Sequence, residues 1–333
     1  MQVSVFSILK NYGGPLSLLA AMAACQSQPE AAGSQAPVAH PPVGHYSGTL
    51  TAPGRPELRA ALEVRHPRPG HYDAELVVDA EPGLSFVADT VAFAAKRLLM
   101  QRPGRASQTL TLTQQGDFWR GRLTVDSTAY ATLLVRRGPP EPAVYRVRHD
   151  EVPGSVGEAL LFSPADESLP GAALAVFPTA ATASTSPAWA DALARQGYTV
   201  LLLPAADSLS PAALMAALTY LRRTPGVDTA QIGTWVAGHR ADVLATLLTQ
   251  PEAPRPTPAF IIAQEAPVPD AAMRGAWRTL AQRGRVLGLY DASDATTAKA
   301  TIALRGALGR PGRVLRGQGA GLTGSVATWL HEK

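Results

Sequence analysis

The sequence predicts an α/β protein: a mostly parallel sheet with helices on both faces, preceded by a small all-β barrel or sandwich. Three observations carry this. From residue 143 onward, continuous apolar runs such as 198–203 and 286–290 alternate with stretches of helical period, the pattern of strands buried on both faces. Between residues 43 and 137, short alternating runs are separated by turn signals such as Pro53-Gly54, Pro69-Gly70, Pro103-Gly104 and Gly116-Asp117. The 333-residue chain is 46% apolar and 17% charged, a globular composition with room for two domains of ~150 residues each.

Taken in order, residues 1–25 read as a targeting segment rather than fold. Lys10 supplies a positive charge, and residues 15–24 are apolar but shorter than the ~20 needed to span a bilayer. The segment ends in Leu19-Ala20-Ala21-Met22-Ala23-Ala24-Cys25, which resembles a bacterial lipoprotein signal. That resemblance implies a diacylglycerol thioether on Cys25, a membrane as partner, and, with Gln26 next, outer-membrane sorting. A plain secretory leader with an incidental cysteine is the other reading. Cys25 is the only cysteine, so no internal disulfide is possible. Residues 26–42, rich in Gln, Ala, Pro, Ser and Gly, read as a flexible tether.

The β region is expected to hold strands at 45–52, 58–65, 71–78, 87–93, 97–101, 109–113, 118–125 and 130–136. Trp119 and Tyr130 read as core filling, and His45, His66 and His71 as surface or edge residues without metal-ligand spacing. The run Gly138-Pro139-Pro140-Glu141-Pro142 is a stiff joint at 138–142. Within 143–333, strands are expected at 145–148, 158–162, 172–177, 198–203, 231–236, 259–263, 286–290 and 313–316. Helices are expected at 187–196, 211–223, 271–283, 295–308 and 322–331, with a further one after the 231–236 strand. Ser210 and Pro211 form a start signal, and Gly197 a stop signal.

The stretch from 227 to 250 organises the second region. Gln231-Ile232-Gly233-Thr234-Trp235-Val236 reads as a buried strand, Ala237-Gly238-His239 as a tight turn, and Val243, Leu244, Leu247 and Leu248 as one helix face. Strand, turn and helix in that order resemble the nucleophile elbow of bacterial α/β-hydrolases of the serine esterase and dienelactone hydrolase kind. The stretches 190–201 and 221–233 are similar to that family as well. The resemblance implies a serine where this chain has Gly238, and glycines where it has Val236 and Arg240. It places the family's acid on Asp294, which reads equally well as a helix N-cap. It expects a histidine in 316–322, where none occurs, and an oxyanion loop where Phe177-Pro178-Thr179 stands, with Pro178 unable to donate an amide.

The catalytic motifs are therefore degenerate, with Gly238 and Asp294 as vestigial positions and His239, Thr179 and Asp207 as possible cleft residues. Losing a nucleophile or base alone costs ~10⁶-fold in rate. Ser184, Ser186, Ser208 and Ser293 lie in loops without a base partner legible in the sequence. No HExxH, CxxC, GxGxxG or P-loop is present, so no metal or other cofactor is expected. Net charge is only +4 and is spread along the chain, which argues against nucleic acid. The expectation is an inactive, membrane-anchored protein that binds a small molecule or an envelope protein. The alternative is an esterase of small acyl esters acting through a non-standard nucleophile.

Overall fold

Two sheets follow one another along the chain. The computed structural model describes residues 40–332 apart from 89–90, 153–157, 254, 293, 295–296, 311 and 318–319. The leader, Cys25 and nearly all of the tether thus lie outside the described residues, as does Ser293.

The first sheet holds nine antiparallel strands: β1 Gly44–Thr51, β2 Leu58–Arg68, β3 His71–Val77, β4 Phe86–Ala88, β5 Val91–Ala94, β6 Arg97–Arg102, β7 Arg105–Gln115, β8 Phe118–Val125 and β9 Thr128–Gly138. Their order is β4-β3-β2-β1-β9-β8-β7-β6-β5. The edge strands β4 and β5 are consecutive in the chain, so the sheet curls until its two ends nearly meet. The single strand expected over 87–93 is therefore two strands on opposite edges, β4 against β3 and β5 against β6. Its apolar composition does not register the break, because both pieces are short and both pack inward. Alternation sends Leu50, Leu62, Leu76, Leu98, Leu110 and Leu112 into the interior, all with no exposed surface. Trp119 fills the centre, with Tyr46 edge-on at 6.0 Å and Phe93 at 6.2 Å.

The second sheet holds β10 Tyr145–Glu151, β11 Glu158–Pro164, β12 Gly171–Phe177, β13 Thr199–Leu202, β14 Val227–Ala237, β15 Phe260–Gln264, β16 Arg285–Asp291 and β17 Arg313–Gly317. The order is β10-β11-β13-β12-β14-β15-β16-β17. The β10–β11 and β11–β13 pairs are antiparallel, and every pair from β13 to β17 is parallel. Helices α2 Pro211–Arg223, α3 His239–Thr249, α4 Ala271–Arg283 and α5 Ala298–Leu308 pack on one face through Leu214, Leu244, Trp277 and Leu304. Helices α1 Ser186–Ala194 and α6 Ala320–His331 pack on the other through Leu193 and Val326. Both start and stop signals operate as chemistry requires. Ser210 accepts the Ala213 amide at 3.1 Å, and Gly197 takes φ +88 just beyond α1.

Helix α1 is also where the first sheet meets the second. Arg102, at the end of β6, reaches Asp191 of α1 with Nε at 2.9 Å and with Nη2 in closer contact. Tyr145 of β10 donates to the other Asp191 oxygen at 2.6 Å. Arg195 pairs with Glu75 of β3 at 2.6 Å. Arg102 and Asp191 are 1% and 3% exposed, so this is a buried ionic joint. Burial pushes the Asp191 carboxyl up, against the Arg102 charge and the Tyr145 hydrogen bond, which favour its ionised form. No helix of the described residues is long and apolar enough to cross a membrane.

Candidate functional site

Strand order reverses between β12 and β14: from β12 the chain steps to β13 on one side and then to β14 on the other. In open parallel sheets the crevice at the carboxyl ends of such strands is where ligands bind. The loops that flank it here are Pro178-Thr179 after β12, Pro204 to Asp207 after β13, and Gly238 after β14.

The elbow is formed. Gly238 adopts φ +61 and ψ −144, and its amide donates to Gln264 O at 2.8 Å. The chain turns from β14 directly into α3, whose Ala241 amide returns to Gly238 O at 3.0 Å. This left-handed backbone suits glycine and strains any other residue. The bulky neighbours Val236 and Arg240 leave that backbone in place. Val236 turns into the core, with no exposed surface.

Arg240 is the residue the sequence reading missed, noticed there only for its bulk. It is 3% exposed and lies across the crevice. Its Nη1 donates to Pro178 O at 2.6 Å and to Ala206 O at 2.8 Å, tying the β12 and β13 loops to α3. The guanidinium lies 5.7 Å from the Phe177 ring centroid. Burial pulls its pKa down, and the charge of Asp207 pulls the other way. Of the expected cleft residues, Asp207 is exposed and contributes only its charge near Arg240, and Thr179 faces the elbow: a Cβ added at Gly238 would lie 3.8 Å from Thr179 Cγ2. The Thr179 amide is spent on Thr182 Oγ1 at 3.0 Å. His239 is exposed at the first position of α3.

Asp294 stands elsewhere, beyond the end of β16 and near Glu265, the residue after β15. The next helix, α5, starts at Ala298, three residues later than expected. Thr297 is its N-cap residue, with its hydroxyl on Asp294 O at 2.8 Å. Glu265, Asp291, Gln264, Thr185 and Trp189 line a cavity of about 160 Å³ at this edge. A larger cavity of about 420 Å³ opens at the amino ends of β15 and β16, among Leu248, Arg255, Arg283 and Arg285. It is the roomier of the two, but the chemistry-bearing carboxylates and the elbow are at the opposite edge, where the sheet topology also places binding.

Burial pushes the Glu265 carboxyl up, and the Asp291 and Asp294 charges push it the same way. A raised folded-state value means that the folded chain holds this proton more tightly than the unfolded chain. Its contribution is present in acid and is lost as pH rises through the folded value. Glu265→Gln, which cannot ionise, is therefore expected to exceed the parent in stability at neutral pH. The gap should close as pH falls through the carboxylate range, as read by urea unfolding at several pH values. A gap independent of pH would contradict the assignment.

Imidazoles are scarce at this edge. His331 packs 5.5 Å from Tyr198, at the amino end of β13 and so on the wrong side of the sheet. His149 of β10 pairs with Glu158 at 3.2 Å and lines a cavity of about 220 Å³ with Pro178, Ala183 and Leu203. Among the described residues, that cavity's lining holds no serine, threonine or cysteine. Among the serines, Ser186 is buried and donates to Thr182 O at 2.8 Å, while Ser184 and Ser208 are exposed.

No family model matches the chain, and no curated protein does. Solved structures do. The chain is similar to a dienelactone hydrolase from Anabaena variabilis at 14% identity, over 56% of this chain and 95% of that one, with a TM-score of 0.42. It is similar to a hyperthermophilic esterase from the archaeon Pyrobaculum calidifontis at 11% identity, over 56% and 86%, with a TM-score of 0.42. Dipeptidyl peptidase 4 from Porphyromonas gingivalis is similar at 14% identity over 82% of this chain, which spans 48% of that protein, with a TM-score of 0.42.

Proposed function

We propose that this chain is a catalytically inactive protein of α/β-hydrolase type, anchored to the cell envelope through Cys25, that binds a small molecule or an envelope partner. The observation that carries the reading is Arg240. An acyl substrate would need the crevice between β12 and β14, and a buried guanidinium lies across it, bonded to both flanking loops. Gly238 offers no nucleophile at the elbow, and the Thr179 amide is committed to Thr182. A hydrolase of this plan needs a nucleophile, a base and oxyanion donors converging on one point. The lipoprotein-like run ending at Cys25 supports the envelope location.

The test is a serine-directed fluorophosphonate probe on the full chain, with Gly238→Ser beside it. The parent should take up no covalent label and turn over no small acyl ester. Gly238→Ser should fold, since the nearest heavy atom to its Cβ is 3.8 Å away, at a cost of about 1–3 kcal/mol for the left-handed backbone. It should still hydrolyse nothing, because a serine alone lacks its base. Label on Ser184 or Ser208 that disappears with His149→Ala would replace this reading with an esterase built on the His149–Glu158 pair.

A further inference from the structure

The first sheet and the joint after it bring together three ligand-bearing side chains far apart in sequence. His45 and Glu63 are direct cross-strand partners in the β1–β2 ladder, so register alone aims their side chains at one another. Glu141, from the stiff run after β9, is held by two backbone bonds. Its amide donates to Glu63 Oε2 at 2.9 Å, and its carbonyl accepts from Arg65 Nε at 2.6 Å. One ring nitrogen of His45 and one carboxylate oxygen from each glutamate all lie within 4.8 Å of one another. Among the described residues no other set of three such groups comes as close.

The charge balance at this point is unusual. Glu63 is 3% exposed, yet among the described residues its side chain has no lysine or arginine partner. Its neighbours are the His45 ring, in close contact through Oε1, and the Glu141 amide. The nearby guanidinium of Arg65 is directed at Glu75, at 2.7 Å, and at Asp73. A buried carboxylate beside a second carboxylate ordinarily demands a positive charge between them.

We propose that His45, Glu63 and Glu141 bind a divalent cation of the zinc class. One imidazole nitrogen with two carboxylate oxygens is a donor set that such ions accept, at ~2.0–2.2 Å per bond. Bonds of that length draw the three donor atoms to ~3.3 Å from one another. Glu63 and His45 are fixed by the ladder, and the exposed Glu141 side chain swings in to close the set. The ion takes the place of the His45 Nδ1 proton, and water fills the remaining coordination. It fastens the β1–β2 hairpin to the joint that leads into the second sheet. This proposal stands apart from the crevice and would survive the finding of esterase activity there.

The test is calorimetric titration of the full chain, stripped with chelator, with Zn²⁺, and with Mg²⁺ for comparison. One equivalent of Zn²⁺ should bind, Mg²⁺ should bind far more weakly, and saturating Zn²⁺ should raise the melting midpoint by about 5 °C. Glu141→Gln is exposed and should leave the metal-free midpoint within ~1 °C, as surface changes do, while weakening Zn²⁺ at least tenfold. His45→Gln should weaken it as much. Failure of Zn²⁺ to bind, or undiminished binding in Glu141→Gln or in a folded His45→Gln, overturns the site. In that second case histidines elsewhere, such as His66 and His71, hold the ion.

Discussion

Replacing Arg102 with alanine is expected to lower the unfolding free energy by about 3–5 kcal/mol, the usual penalty for stranding one partner of a buried ion pair. Arg102 uses Nε and Nη2 on Asp191, Nη1 on Gly83 O and Gln108 Oε1 at 2.9 and 2.8 Å, and Nη2 again on Ser85 O. Without it, Asp191 stays buried with Tyr145 as the remaining donor named above. Two main-chain carbonyls and a glutamine lose their partner at the same stroke. Arg102→Lys should recover little, since one ammonium cannot reproduce a planar fork of donors. The paired change Arg102→Met with Asp191→Leu should be milder than either single change, because it removes both charges together. Urea denaturation of the parent, the single variants and the double variant measures this. A loss under about 1 kcal/mol for Arg102→Ala would mean that the joint is ornamental.

Gly121→Ala is expected to cost about 3 kcal/mol, at the upper end for an overpacked interior. A Cβ built there falls 1.9 Å from Thr111 O on the neighbouring strand. The obstacle is main chain, so no rotamer change relieves it, and moving β7 would break its ladder with β8. Gly48 repeats the situation on β1, with Leu133 O at 1.9 Å. Neither has a positive φ, so it is the close approach of two strands that requires glycine. Gly138, whose added Cβ meets nothing within 4 Å, is the control and should accept alanine with a change below about 0.5 kcal/mol. Thermal melts of the three variants separate them.

Much of the architecture was legible in the sequence because its causes are local. Apolar runs at 198–203 and 286–290 became β13 and β16, and the Thr109–Leu112 alternation became β7 with its leucines inward. The break between β4 and β5 was not legible, since pairing with different partners is a long-range fact. The elbow at Gly238 was read from its strand, turn and helix. The burial of Arg240 was not, because nothing near it in sequence reveals two carbonyls waiting 62 and 34 residues upstream. His45 was read as an edge residue for the same reason. Its companions sit 18 residues away on a facing strand and beyond a proline-rich joint. The His149–Glu158 pair was missed as well, although both residues lie on neighbouring strands of one hairpin.

The position of α1 against both sheets has a practical consequence for anyone handling the protein. The run at 138–142 looks like a place where a protease would free two independent pieces. With Arg102, Glu75 and Val87 engaged by groups from the far side of that run, a single cut there should leave a nicked molecule that still migrates as one particle and melts in one step.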